Sequence, residues 1–132
     1  MALNTSSVFD SLPPENRSDL TAIINAERTK LNKAIVVLDD DPTGTQTVHG
    51  VDVVTTWSVD DIKAEFEQGT QLFYILTNSR SLSVGDANKL ASEIGTNLMQ
   101  ASAETGRDFM VVSRSDSTLR GHYPNEVEAL AN

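Results

Sequence analysis

One short apolar run, residues 34–38 (AIVVL), constrains the fold of this chain more than any other feature. A strand with one solvated face alternates apolar and polar side chains, whereas this run is apolar throughout and rich in β-branched residues. Such runs are typical of strands buried on both faces, as in a parallel sheet. Because parallel strands need long crossover connections, the run predicts helices between the strands rather than tight hairpins.

Three more strands and four helices are predicted from the rest of the pattern. The strands cover residues 51–56, 72–77 and 109–112. The helices begin at Pro13, at Ser58, near Asp86 and at Tyr123, and Ser58 is expected to form a capping pair with Asp61. This alternation predicts an α/β, Rossmann-like three-layer fold with a mostly parallel sheet of at least four strands. We expect residues 1–12 to form a flexible arm and residues 13–132 to form one domain.

The composition excludes several classes of function. The formal net charge is −9, which argues against nucleic acid as a partner and means that any anionic ligand must be held by a local group of cations. The chain has no cysteine, which excludes disulfides and thiolate metal sites. The N-terminus has no basic start followed by an apolar stretch, so no signal peptide is expected. No apolar run reaches about 20 residues, and we therefore expect a cytoplasmic protein without a membrane partner.

Polar side chains cluster where three of the predicted strands end. Asp39, Asp40 and Asp41 follow the first strand, Arg80 follows the third, and residues 113–121 (SRSDSTLRG) follow the fourth. Because ligands of open parallel sheets bind at the carboxyl ends of the strands, we expect these segments to share one crevice. Carboxylates there can act as a base, bind Mg²⁺ or hold sugar hydroxyls, but they can also merely cap turns.

The arginines in these segments allow two interpretations. Arg80, Arg114 and Arg120 carry planar guanidinium groups that match a carboxylate or a phosphate. Any one of them could instead neutralise the neighbouring aspartates, although this is less expected of all three together. The chain has neither a GxxxxGK[ST] loop nor a GxGxxG loop, so it shows no recognised nucleotide site of its own.

Two motifs resemble the N-terminal domain of the four-carbon acid sugar kinase family. They are residues 40–44 (DDPTG) and residues 113–121, and the similarity runs from about Ala34 to about Glu126. Members of the family phosphorylate acids such as threonate, erythronate or 3-oxo-tetronates with ATP. In two places this chain departs from the pattern: Pro42 replaces a bulky apolar residue, and residues 45–50 replace an alanine and a helix.

The resemblance implies roles for individual residues. Asp40 and Asp41 would be catalytic and serve the reacting hydroxyl. The substrate would be bound by Thr43, Gly44, Arg80, Arg114, Asp116, Ser117, Thr118, Arg120 and Gly121. No metal ligand is predicted in this chain. ATP and Mg²⁺ would bind mainly to a C-terminal nucleotide-binding domain, a partner that we expect this chain to lack through truncation, so the chain alone is expected to be inactive.

Two alternatives remain open. The first is a haloacid-dehalogenase-like phosphatase in which Asp39 is the nucleophile, Asp41 is the acid/base and Mg²⁺ is bound. Residues 75–78 resemble the second motif of that class, but residues 116–121 are left unexplained. The second is a stand-alone module that binds a sugar acid without phosphorylating it. The sequence also leaves open the preferred acid, the roles of His49 and His122, and whether the chain forms a homo-oligomer.

Overall fold

The computed structural model describes residues 4–15, 18–116 and 120–132, and the chain divides into two compact units after Leu31. The first unit contains two helices, α1 (Thr5–Asp10) and α2 (Thr21–Leu31). The second contains β1 (Ala34–Asp39), β2 (Asp52–Val54), α3 (Val59–Glu67), β3 (Leu72–Leu76), α4 (Val84–Thr105), β4 (Phe109–Arg114) and α5 (Asn125–Ala131). Short 3₁₀ turns follow β1 at Gly44–Thr47 and β3 at Ser79–Ser81.

The four strands form one sheet in the order β2-β3-β1-β4, and every pair in it is parallel. The predicted α/β, Rossmann-like class with a parallel sheet is therefore confirmed. Asp39, the last residue of β1, lies between Leu76 of β3 and Arg114 of β4 in the register. The polar segments that follow these three strands consequently start at one edge of the sheet.

The core of the second unit lies on one face of the sheet. Val36 and Leu38 of β1 belong to a buried cluster with Phe73 and Ile75 of β3 and with apolar residues of α3 and α4. Because successive strand residues point to opposite faces, Asp39 points away from this core. This alternation decides which strand-end side chains can meet.

Local signals set the ends of the long helices. Ser58 and Asp61 form the predicted capping box of α3, in which each side chain accepts the other residue's backbone N–H. Ser83 caps α4, which therefore begins earlier than predicted, and Gly106 ends this helix with a φ of 68°, which suits a residue without Cβ.

The N-terminal unit departs from the sequence prediction. The helix predicted from Pro13 begins instead at Thr21, whose backbone N–H donates to Asp19 Oδ1 at 3.0 Å. An aspartate cap thus starts this helix in place of the two prolines. The segment predicted as a flexible arm contains α1. None of the helices described is both long and apolar enough to cross a bilayer.

Candidate functional site

Arg80 is the centre of the strongest ion-pair network at the sheet edge. Its Nη2 and Nε donate to the two carboxylate oxygens of Asp40 at 2.8 and 3.1 Å, and its Nη1 donates to Asp41 Oδ2 at 3.3 Å. The Asp40 side chain is 3% exposed and that of Arg80 17%. These hydrogen bonds raise the pKa of Arg80. Arg80, predicted to bind substrate, is therefore already occupied by the two aspartates predicted to be catalytic.

Asp41 also organises the turn after β1. Its Oδ1 accepts both the backbone N–H and the hydroxyl of Thr43, and its carbonyl accepts the N–H of Gly44. The bonds from Thr43 are the main reason why the pKa of Asp41 is lowered. Asp41 thus remains ionised over a wide pH range, which suits the binding of a hydroxyl better than the uptake of its proton.

Asp39 has the opposite environment. It is fully buried, and neither of its carboxylate oxygens has a hydrogen-bond partner of ordinary geometry among the described residues. The nearest cation is Arg114, with Nη1 at 3.7 Å from Oδ1. Burial raises the pKa of Asp39, and the Arg114 guanidinium offsets part of this effect. Gly44 is buried against Asp39, and a Cβ at Gly44 would overlap the Asp39 carboxyl group.

The raised pKa of Asp39 predicts a pH-dependent stability. The folded state binds this proton more tightly than the unfolded chain does. Asp39 therefore contributes stability that is fully present below its ordinary pKa and is lost as the pH rises through the raised value. We expect Asp39→Asn to be more stable than wild type at pH 7 by about 1 kcal/mol, because it removes a buried charge but keeps a buried polar group.

This difference should shrink as the pH falls through the raised pKa of Asp39 and be smallest below about 4, where wild-type Asp39 is protonated in both states. Urea unfolding at several pH values measures it. Asp52→Asn, which removes an exposed carboxylate at the start of β2, serves as the control. An Asp39→Asn variant that is less stable than wild type at pH 7 would contradict the prediction.

The segment after β4 approaches the Arg80 network through its backbone. The N–H of Asp116 donates to Asp40 Oδ2 at 3.1 Å, and Arg120 Nη2 lies 3.9 Å from Asp116 Oδ2. A Cβ at Gly121 would overlap the carbonyl oxygen of Asp116, so the chain can return this closely only at a glycine. Two predicted site residues, Ser117 and Thr118, lie outside the described residues.

A small pocket opens between the strand ends and helices α4 and α5, over apolar side chains that include Leu38. We call it the Glu126 pocket. Its polar lining consists of Asp40, Thr77, Ser79, Ser113, Ser115 and Glu126. His122 packs beside it and donates from Nε2 to the carbonyl oxygen of Ser79 at 3.0 Å. His122 thus has a local hydrogen-bonding partner.

Sequence reasoning missed Glu126 as a site residue. The side chain is 7% exposed although it lies on a short, mostly solvated helix. The available signal was its spacing: Glu126 precedes the apolar Leu130 by four residues, so the two share one face of α5. Because burying a charged side chain costs free energy, a charged residue on the buried face of a helix indicates a specific polar contact there.

The predicted site residues thus fall into two groups on opposite sides of the sheet edge. Asp40, Arg80 and the Asp116 backbone lie beside the Glu126 pocket, whereas Arg114 and Gly44 flank Asp39 on the other side. The side chain of Arg114 is 44% exposed and that of Arg120 is 74% exposed, and their carboxylate contacts to described residues are long, at 3.7 and 3.9 Å. These two guanidiniums are therefore better placed than Arg80 to bind an anion from solution.

The described residues do not fit a magnesium site. They contain no group of three or more histidine, aspartate or glutamate side chains that could hold a metal ion. Asp40 and Asp41 already bind Arg80, and the Asp39 carboxylate is closed off from solvent.

Comparison with known proteins adds one finding. A family model described as a sugar-binding N-terminal domain matches residues 35–132. No curated protein and no solved structure is significantly similar to the chain. The match covers the sheet from Ile35 onwards and every residue described above from Asp39 onwards.

Proposed function

Because the chain belongs to the sugar-binding N-terminal domains of the four-carbon acid sugar kinase family, we propose that its sheet edge binds the acid sugar that such a kinase phosphorylates. The substrate class is a four-carbon acid of the threonate, erythronate or 3-oxo-tetronate type. The carboxylate of the acid binds Arg114, with Arg120 as a second, more exposed contact. The hydroxyls of the acid face the polar side chains around Asp40 and Asp41.

One observation carries this proposal: Arg114 is an accessible cation in a strongly acidic chain. Its guanidinium ends β4 at the edge where ligands of parallel sheets bind, and its one described carboxylate contact is 3.7 Å long. With a net charge of −9, the chain repels anions at long range, so an anionic substrate needs a local cation. Arg80 cannot serve equally well, because Asp40 and Asp41 already neutralise it.

In this proposal the domain positions the acid sugar and does not supply the phosphate donor. Phosphoryl transfer needs an aligned hydroxyl, neutralised phosphate charge and a group that receives the hydroxyl proton. The described residues can bind and orient the acid sugar. ATP and Mg²⁺ would bind mainly to the nucleotide-binding domain of the family, and the sugar-binding domain by itself would not transfer phosphate. A stand-alone binding module would use the same crevice without the transfer.

The phosphatase alternative fits the geometry poorly. A nucleophilic Asp39 would have to reach a phosphorus atom in line, yet its carboxylate is fully buried and packs against Gly44. An acid/base at Asp41 would need a pKa near neutrality, whereas the pKa of this residue is lowered. We therefore do not retain that alternative.

The proposal predicts that Arg114→Ala weakens binding of threonate or erythronate by roughly 10- to 100-fold, the value of one or two hydrogen bonds between charged groups. Calorimetric titration of the acid into the chain measures the dissociation constant. Arg28→Ala, which removes an exposed arginine of α2, is the matched control and should bind like wild type. Saturable binding that is equal in wild type and Arg114→Ala would refute the assigned role of Arg114. No binding by the folded wild type would refute the sugar-acid site.

A further inference from the structure

Glu126 is a buried acidic residue that forms no ion pair with any of the described residues. Its Oε1 has no hydrogen-bond partner among the described residues, and its Oε2 is 3.5 Å from Ser79 Oγ. The other carboxylate that lines the same pocket, Asp40, is neutralised by Arg80. Burying a charge without a partner costs free energy, so we expect this side chain to have a bound group as its partner.

The chemistry of the pocket limits what that group can be. A carboxylate only accepts hydrogen bonds, so the incoming group must donate one. The carboxylate of Glu126, which has no counter-ion among the described residues, would repel the acid end of a substrate or a phosphate. The hydroxyls of Thr77, Ser79, Ser113 and Ser115 can both donate and accept. The cavity volume is about 10 Å³, which is roughly the space for one water-sized group.

We propose that Glu126 is a specificity-determining residue that accepts a hydrogen bond from one inner hydroxyl of the bound acid sugar, on carbon 2 or carbon 3. This inference rests on the proposed function, because it assumes that the carboxylate of the same molecule binds Arg114. Ser113 lines the Glu126 pocket, whereas the side chain of Arg114, the next residue of β4, leaves the opposite face of the strand. The bound acid therefore lies across the end of β4, with its carboxylate at Arg114 and one inner hydroxyl directed towards the pocket.

The test compares threonate with its three monodeoxy analogues, which are 3,4-, 2,4- and 2,3-dihydroxybutanoate. All four acids carry the same carboxylate, so the contribution of Arg114 is constant. In wild type we expect loss of the 2-hydroxyl or of the 3-hydroxyl to weaken binding by about tenfold. Glu126→Gln should weaken threonate binding by about tenfold and abolish the preference for that one hydroxyl. Its relative affinity for the 4-deoxy acid should stay as in wild type.

Glu128→Gln is the matched control, because it makes the same change at an exposed position of the same helix. It should bind all four acids like wild type. Thermal unfolding checks that Glu126→Gln is folded. The ligand series measured on the wild-type chain tests the hydroxyl preference without any variant.

The outcomes separate this proposal from the proposed function. A Glu126→Gln variant that retains the hydroxyl preference, or that weakens all four acids equally, overturns the role of Glu126 alone. A wild-type chain that does not distinguish the 2- and 3-deoxy acids from threonate overturns it as well. A wild-type chain that binds none of the acids overturns the proposed function and this inference together.

Discussion

Replacing Arg80 with methionine is expected to lower the free energy of unfolding by about 3 kcal/mol, the low end of the cost of breaking a buried ion pair. Arg80 makes two hydrogen bonds to Asp40 and one to Asp41, and the Asp40 carboxylate is shielded from water. Methionine fills similar space but leaves the Asp40 charge buried with one described donor, the N–H of Asp116. The cost therefore comes mainly from the stranded carboxylate.

Urea unfolding of a matched pair of variants tests this expectation. Arg120→Met removes an exposed arginine that lies 3.9 Å from Asp116, and it should cost about 0.5 kcal/mol or less. The double variant Arg80→Met/Asp40→Asn should recover a large part of the loss, because it removes the stranded charge together with its partner. If Arg80→Met lowers the free energy of unfolding as little as Arg120→Met does, the ion-pair network around Arg80 does not stabilise the sheet edge.

Gly44→Ala is the second substitution with a large expected effect, a loss of about 2–3 kcal/mol through overpacking. The added Cβ would overlap the carboxyl group of Asp39, a side chain that is itself fully buried and cannot swing into solvent. The argument concerns space and not backbone conformation, since Gly44 is not among the residues with positive φ. The turn after β1 and the position of Asp39 would have to shift.

A second glycine provides the control for this variant. Gly85 lies in the first turn of α4, and the nearest atom to a Cβ there is Ser83 Oγ at 4.0 Å. Gly85→Ala should therefore raise the stability by about 0.5–1 kcal/mol. In an Asp39→Ala background the penalty of Gly44→Ala should largely disappear. A penalty that persists there would show that Asp39 is not the obstacle.

Together these variants would separate the scaffold of the site from its binding groups. Arg80, Asp40 and Gly44 shape the turn, and changes there should appear first as lost stability. Arg114 and Glu126 carry polar groups without a close partner among the described residues, and changes there should appear first as changed affinity or specificity. In the free protein, a ligand-binding side chain has lost part of its hydration without gaining hydrogen-bond partners. The polar groups of a scaffold side chain already have theirs.

The sequence was most informative about features that depend on residues close together along the chain. The unbroken apolar run of residues 34–38 predicted a buried parallel strand, and Ser58 with Asp61 predicted a capping box; the structure confirms both. Prolines misled the prediction at Pro13, because proline tolerates the first turn of a helix without requiring one. The motifs at residues 40–44 and 113–121 identified the family, and the family match confirms this.

The sequence by itself therefore determined the fold class, the family and the edge of the sheet that carries the polar chemistry. These follow from strand periodicity and from residues that are neighbours along the chain. Only the tertiary structure decided that Arg80 serves Asp40 instead of a ligand, that Asp39 is buried under Arg114, and that Glu126 faces the pocket. Those facts depend on side chains 40 to 75 residues apart and on which face of a strand each one leaves, and no local pattern contains that information.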